Sequence, residues 1–427
     1  VTRTTRRTLL AAALGGPLLA GCRDSAPRAS PTPARHGWTQ LPAAPLAPPG
    51  LRAGLAAVWT GEEVLVWGGS SPRADGCAVA VCADGASWRP VGGRDRAAGS
   101  WTALPPAPLQ ARSGARLHWT GSEAVLVGGL DPWARCESRP AGRLDVAAFS
   151  PATRSWRALP PLPWPEGTVV DASAWTPRGL LVWSVSAGAW SLPAGGASWA
   201  ELPDPPVARG DASAYAGVQD VWTGTEWVLL GGAYTPDPVP LGLALDPATS
   251  SWRVLDRGPV RTPDVAVAWT GTELLAFDAT AGLSRLAPAT GRWTGAARGP
   301  LDGLGGPLGG PALGWTGTEL LVWGGSRNAR DGSRCFDGVG VEESELAYGG
   351  ACNPATGPLA AAYDPARDTW RPLADGPWQR RTGSCAVWTG TGLFLGGGVD
   401  LEEQRAGGGP PFADHADQAF AVLDPSA

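Results

Sequence analysis

Five arginines recur at one place in a repeating frame. Arg52, Arg112 and Arg381 each lie seven residues ahead of a tryptophan, and Arg209 and Arg261 are near equivalents. A guanidinium is a planar fork of donors that suits a carboxylate. Such a set could grip an anionic ligand, or it could pair with acids of its own fold such as Asp211 and Asp264. Both readings are open at this point.

Cysteines form the second chemical set. Apart from Cys22 there are six: Cys77, Cys82, Cys136, Cys335, Cys352 and Cys385. In an exported chain an even set suggests disulfides, although six cysteines allow 15 pairings. The expected bridges are Cys77 with Cys82 and Cys335 with Cys352, then Cys136 with Cys385. No Cys-x-x-C occurs and His36, His118 and His415 are scattered, so no zinc site or other metal centre is expected. The acids Asp331, Asp337, Glu342, Glu343 and Glu345, and Asp400, Glu402, Glu403, Asp414 and Asp417, lack the order of a calcium loop and read as a solvated face. No catalytic residue and no cofactor is singled out by spacing.

The elements that must position these groups are repeats. Trp-Thr-Gly recurs at Trp59, Trp119, Trp222, Trp269, Trp315 and Trp388, with Trp-Thr-Pro at Trp175. In most units an apolar run then ends in a glycine pair, as in "WTGTELLVWGG" (Trp315 to Gly325). A second tryptophan marks each unit, at 38, 101, 156, 199, 252, 293 and 370, usually after a turn such as Asp-Pro-Ala-Thr and before a proline-rich stretch. Thr-Gly-x-Glu reads as a tight turn between two strands, and the glycine pair as a place where backbones crowd. With 61 Gly, 43 Pro and 23 Trp, the composition also favours short strands over helices. Four antiparallel strands per unit describe a propeller blade, and seven units describe an all-β, seven-bladed propeller over residues 37–427. The chain reaches "AVLDPSA" with the last unit one strand short, and "HGWTQLP" near the start is a strand without a unit. Their pairing is expected to close the ring, with Trp38 as the missing tryptophan.

"RSGARLHWTGSEAVLVGGL" (Arg112 to Leu130) and "YDPARDTW" (Tyr363 to Trp370) resemble the kelch repeat, with its Arg-x-Gly, glycine doublet, and spaced tyrosine and tryptophan. That resemblance implies a kelch-type propeller related to the central domain of galactose oxidase. It further implies an anion-binding ring at a channel mouth, formed here by Arg52, Arg112, Arg209, Arg261 and Arg381. Two enzymatic precedents exist. Copper oxidases need histidine and tyrosine ligands that form no convincing set here, whereas sialic acid mutarotases use acids and arginines near the mouth. In blade one both Val81 to Trp88 and Arg94 to Trp101 fit the end of the third strand and its tryptophan; Trp101 is preferred because it lies 18 residues before the next Trp-Thr-Gly, which makes residues 70 to 93 an insertion. Further insertions are expected at 131–143, 326–358 and 399–418, placing long loops of blades six, seven, one and two on one face.

Residues 1–22, "VTRTTRRTLLAAALGGPLLAGC", have a basic start, a short apolar run and small residues before Cys22. They resemble a twin-arginine signal ending in a lipobox, with Cys22 the lipidation site. Residues 23–36 read as a Pro/Ala/Ser tether. Loss of Arg3, Arg6 and Arg7 with the signal takes the formal charge from −5 to −8, which disfavours nucleic acid as a partner. These features together predict a monomeric, membrane-tethered binding module outside the cytoplasm, with an unknown protein or glycan ligand. A mutarotase-type enzyme and a structural envelope protein are the alternatives.

Overall fold

Each Thr-Gly-x-Glu segment is a hairpin turn. Thr60 Oγ1 accepts from the Glu63 N–H at 3.0 Å, and the Thr60 N–H donates to the Glu63 carbonyl at 3.0 Å. The same pair of bonds recurs at Thr120, Thr223, Thr270 and Thr316. Glycine is required within the turn because Gly61 takes φ 98°, a backbone conformation that costs other residues energy.

The computed structural model describes residues 37–47, 52–72, 79–91, 99–131, 141–206, 218–231, 241–256, 258–260, 265–278, 282–301, 311–324, 360–374, 376, 381–400 and 420–426. Every regular element among them is a strand. The strands form seven antiparallel sheets, one per repeat. Blade two is typical, with Ser113–Trp119, Ala124–Asp131, Val146–Ser150 and Ser155–Leu159 in spatial order. Blade seven joins Arg381–Trp388, Leu393–Asp400 and Phe420–Leu423 to Trp38–Gln40, with Trp38 opposite Leu423. The expected closing seam is therefore formed. The first strands touch one another in cyclic order from blade one through blade seven and back to blade one.

Second strands are the most buried: Trp227–Gly231 and Leu274–Asp278 are buried at every position. First strands such as Gln219–Trp222 and Ala266–Trp269 are half-buried throughout, as expected of the innermost wall. The core is distributed between blades, in seven apolar clusters that each draw on two neighbouring blades. The closing seam has its own cluster, with Leu55, Val66 and Trp88 against Phe394, Phe420 and Val422. No single sheet could bury its two faces alone, so the ring is stable only as a whole.

The second set of tryptophans fastens these seams. The indole N–H of Trp101, Trp156, Trp199 and Trp252 donates to the carbonyl of Pro42, Pro105, Pro160 and Pro203, at 2.7–3.0 Å. Trp293, Trp370 and Trp38 reach Asp256, Ala297 and Ala374 in the same way. Each acceptor lies just beyond the fourth strand of the preceding blade. That explains why a proline-rich stretch follows each tryptophan strand: a segment outside the sheet holds its carbonyl out for the next blade.

Blade one differs in part from expectation. Trp101 does open its fourth strand, Gly99–Ala103, but the third strand is Gly85–Pro90 and Trp88 lies within it. Trp88 takes the place that Phe149 has in blade two, opposite Trp101 as Phe149 is opposite Trp156. Residues 70 to 93 are thus not all insertion. The blade is irregular in its long connection between third and fourth strands.

Candidate functional site on the inner strands

Aligned on Trp-Thr, the inner strands of blades five, six, seven and one read "VAVAW", "PALGW", "SCAVW" and "LAAVW". Those of blades two, three and four read "ARLHW", "DASAW" and "VQDVW". The same positions that elsewhere hold mostly alanine, valine, leucine or glycine, with one proline, one cysteine and one serine, hold Arg116, His118, Asp171, Ser173, Gln219 and Asp220 here. A wall that folds equally well with small apolar residues carries a polar arc on three consecutive blades.

The structure brings these groups together across blades. Arg116 of blade two reaches past blade three to form an ion pair with Asp220 of blade four. Its Nη2 also donates to the Asp171 carbonyl at 3.0 Å and to the Val218 carbonyl at 3.3 Å. Asp220 is 3% exposed, while the Arg116 side chain keeps 31% of its surface open. The Asp220 carboxylate also accepts from Trp227 Nε1 at 2.9 Å and from the Ser173 N–H. Burial holds this carboxyl above the usual range, with Arg116 acting in the opposite direction.

Asp171 stands where the first strand of blade three begins. Its Oδ2 accepts from the Val185 N–H at 2.9 Å. Burial raises its carboxyl to about 6, against the bonds it receives and the Arg116 charge. His118 is half-buried, with Nε2 2.8 Å from Ser173 Oγ. Burial and the Arg116 guanidinium push it down to about 3, so it is neutral near pH 7. The arc thus presents one open guanidinium, a carboxyl that titrates near pH 6 and a neutral imidazole, with the buried Ser173 hydroxyl bonded to the imidazole behind them. It can donate to acceptor oxygens and exchange a proton at Asp171.

The sequence-predicted arginines take a different place. Arg52 is 1% exposed and Arg112 is 0% exposed. Arg52 forms a two-bond pair with Asp84 at 2.6 and 3.1 Å, and its Nη1 also reaches the Gly68 carbonyl at 3.1 Å. Arg112 pairs with Asp145 and donates to the Gly128 carbonyl at 3.0 Å. The carbonyls of both residues accept from the second glycine of the preceding blade's pair: Gly398 to Arg52 and Gly69 to Arg112. A side chain at Gly68 would put its Cβ 2.7 Å from the Arg112 carbonyl oxygen, which is why the pair must be glycine. These two arginines fasten blade to blade and are not presented to a ligand, so the anion-ring expectation is corrected at both. Their partners are Asp84 and Asp145, each one residue ahead of a third strand. Arg209 and Arg261, with Asp211 and Asp264, lie outside the described residues, as does the side chain of Arg381.

Cys385 carries a thiol, donated to the Gly396 carbonyl at 3.4 Å. The expected bridge from Cys385 to Cys136 is thus not made, because its sulfur faces the second strand of its own blade. Burial pushes this thiol up to about 12. Cys82 also carries a thiol, so the expected bridge from Cys77 to Cys82 is not made either; it is buried beside Arg52 and Asp84, and burial likewise raises its thiol. Cys22, Cys77, Cys136, Cys335 and Cys352, the two acidic groups and the central parts of the expected loops lie outside the described residues or side chains. Among the described residues, no cluster of three or more histidine, cysteine or acidic groups could hold a metal ion.

No family model matches the chain, and no curated protein matches it. Among solved structures, one titled "Structure of YjhT" aligns at 14% identity with a TM-score of 0.48, covering 89% of this chain and 95% of that one.

Proposed function

We propose that this propeller is a binding module that takes a small ligand rich in acceptor oxygens at the polar arc of blades two to four. The observation that carries the reading is the concentration of Arg116, His118, Asp171, Ser173 and Asp220 on three adjacent inner strands, where the other inner strands hold mostly small apolar residues at the matching positions. The open part of Arg116 is the recognition group, held rigid by Asp220 behind it. The module is a monomer of kelch type, carried outside the cytoplasm on a lipid at Cys22. Titration calorimetry with a panel of sugar acids, including N-acetylneuraminate, tests the site. Arg116→Lys, which keeps a cation beside Asp220, and His118→Gln should each weaken binding at least tenfold while circular dichroism shows the fold retained; undiminished binding in both would remove the arc from recognition.

A second reading is favoured by Asp171 alone. A carboxyl titrating near pH 6 beside a guanidinium suits acid–base catalysis on a carbohydrate, of the sialic acid mutarotase type. Anomer exchange of N-acetylneuraminate, followed by NMR, decides between the two. Acceleration by the native protein that is lost in Asp171→Asn supports the enzyme, and exchange at the buffer rate supports binding alone.

A further inference from the structure

Blades three and seven break the repeat at the opposite face, and at blade three the break leaves a cavity. In blades two, four, five and six, the glutamate that ends the Thr-Gly-x-Glu turn is held by an arginine through two bonds: Glu123 by Arg157, Glu226 by Arg253, Glu273 by Arg285 and Glu319 by Arg371. Two of these arginines reach on into the next blade, Arg253 to the Pro288 carbonyl at 2.7 Å and Arg371 to the Pro425 carbonyl at 3.0 Å. In blade three the turn reads Thr-Pro-Arg-Gly, so Gly179 stands at the glutamate position. Ala200, opposite Ser191 as Arg253 is opposite Ala244, stands at the arginine position. Both halves of the clamp are missing, as they are in blade seven, where Gly392 and Thr39 stand at these positions.

A cavity of about 360 Å³ opens at that seam between blades three and four. Pro247, the counterpart of Pro288 and Pro425, lines it, together with Pro177, Arg178, Trp222, Glu226 and Asp246. The clamp cannot return through residue 179: it has φ +133°, and an added Cβ would lie 2.1 Å from the Leu192 carbonyl oxygen. The turn that deletes the glutamate also brings Arg178 to the cavity edge, close enough for its charge to act on Asp246. Glu226 is held by Arg253 and Asp246 by the Ala248 N–H at 2.7 Å, so the carboxylates are fixed in orientation.

We propose that this cavity is a second binding site and that its ligand is a single sugar residue, such as the end of a glycan. The walls are flat rings, one indole and two prolines, which match the C–H face of a pyranose. The edges carry a fork donor and two fixed carboxylate acceptors, which match alternating hydroxyls. The volume lies near the lower end of ligand pockets, roughly 300–1,000 Å³, so it suits one ring rather than a chain. This site is independent of the polar arc, since it involves other residues on the other face.

Saturation-transfer NMR with the methyl glycosides of glucose, galactose, mannose and N-acetylglucosamine tests it on the full chain. At least one glycoside should bind the native protein. Ala200→Arg, which restores the arm toward the Pro247 carbonyl, and Arg178→Ala, at an exposed edge, should each weaken it tenfold or more with melting unchanged. Arg116→Lys should leave it intact, which separates this site from the arc. The proposal fails if no glycoside binds, or if binding persists in both Ala200→Arg and Arg178→Ala.

Discussion

The inner wall of the ring has two arcs with the same backbone and opposite chemistry. In blades five, six, seven and one the matching positions hold residues such as Val267, Ala312, Ala386 and Ala56, which pack into the apolar clusters between blades. In blades two to four the matching positions hold an arginine, two aspartates, a histidine and a serine that reach across three sheets. Registers are alike in both arcs: Trp222 is opposite Trp227, and Trp269 is opposite Leu274. The fold therefore does not need the polar arc. Placing Asp220 almost wholly out of water costs desolvation that Arg116 offsets, and such a cost is more naturally tied to use than to stability.

The largest test of that contrast is removal of Arg116. Arg116→Ala should destabilise the ring by about 3 kcal/mol, because Asp220 would be left buried without its counter-charge. In urea titrations the double variant Arg116→Leu with Asp220→Leu should recover most of that loss. A single variant within error of the native protein would mean that the two arcs do not differ energetically.

A smaller effect is expected from pH. His118 has a folded pKa of about 3, below its unfolded value, so its stabilising contribution is present above pH 6.5 and lost as pH falls toward 3. Asp171 has the opposite sign. Its folded pKa of about 6 lies above the unfolded value near 3.8, so its contribution is largest in acid and lost as pH rises from about 4 through 6. Melting temperatures between pH 4 and 7 should accordingly show a shallower acid loss in His118→Gln, and a steeper one in Asp171→Asn. Unchanged profiles would place both groups in bulk-like solvent.

The smallest effect belongs to the apolar arc. Cys385, its thiol raised to about 12 by burial, should resist iodoacetamide at pH 8 in the folded ring and react on unfolding, as read by mass spectrometry. Rapid native labelling would show that this arc is as open as the polar one.

Much of this architecture is legible in the residues themselves. Thr-Gly-x-Glu specifies its turn locally, through a hydroxyl and a positive φ, and seven spaced tryptophans announce seven seams. Trp38 could be assigned to the last blade because a strand without a sheet and a sheet short of a strand have one common solution. The polar arc was also written in the sequence, as the difference between "ARLHW", "DASAW", "VQDVW" and their apolar equivalents. It goes unseen when the repeats are used only for what they share. The arginines misled for the converse reason. Arg52 and Arg112 stand in equivalent places, but their acids, Asp84 and Asp145, lie more than thirty residues on, and spacing alone does not say whether a guanidinium points into a seam or into solvent.

The sequence by itself determined the strand order, the turns and the number of blades, because each depends on short-range sterics and on a period that any one repeat displays. Tertiary structure decided which charges meet. Arg116 and Asp220 are separated by 104 positions and belong to blades that are not neighbours. Their pairing exists only because the ring curves three inner strands around one axis, and the cavity beside Arg178 exists only because a neighbouring blade supplies its other wall.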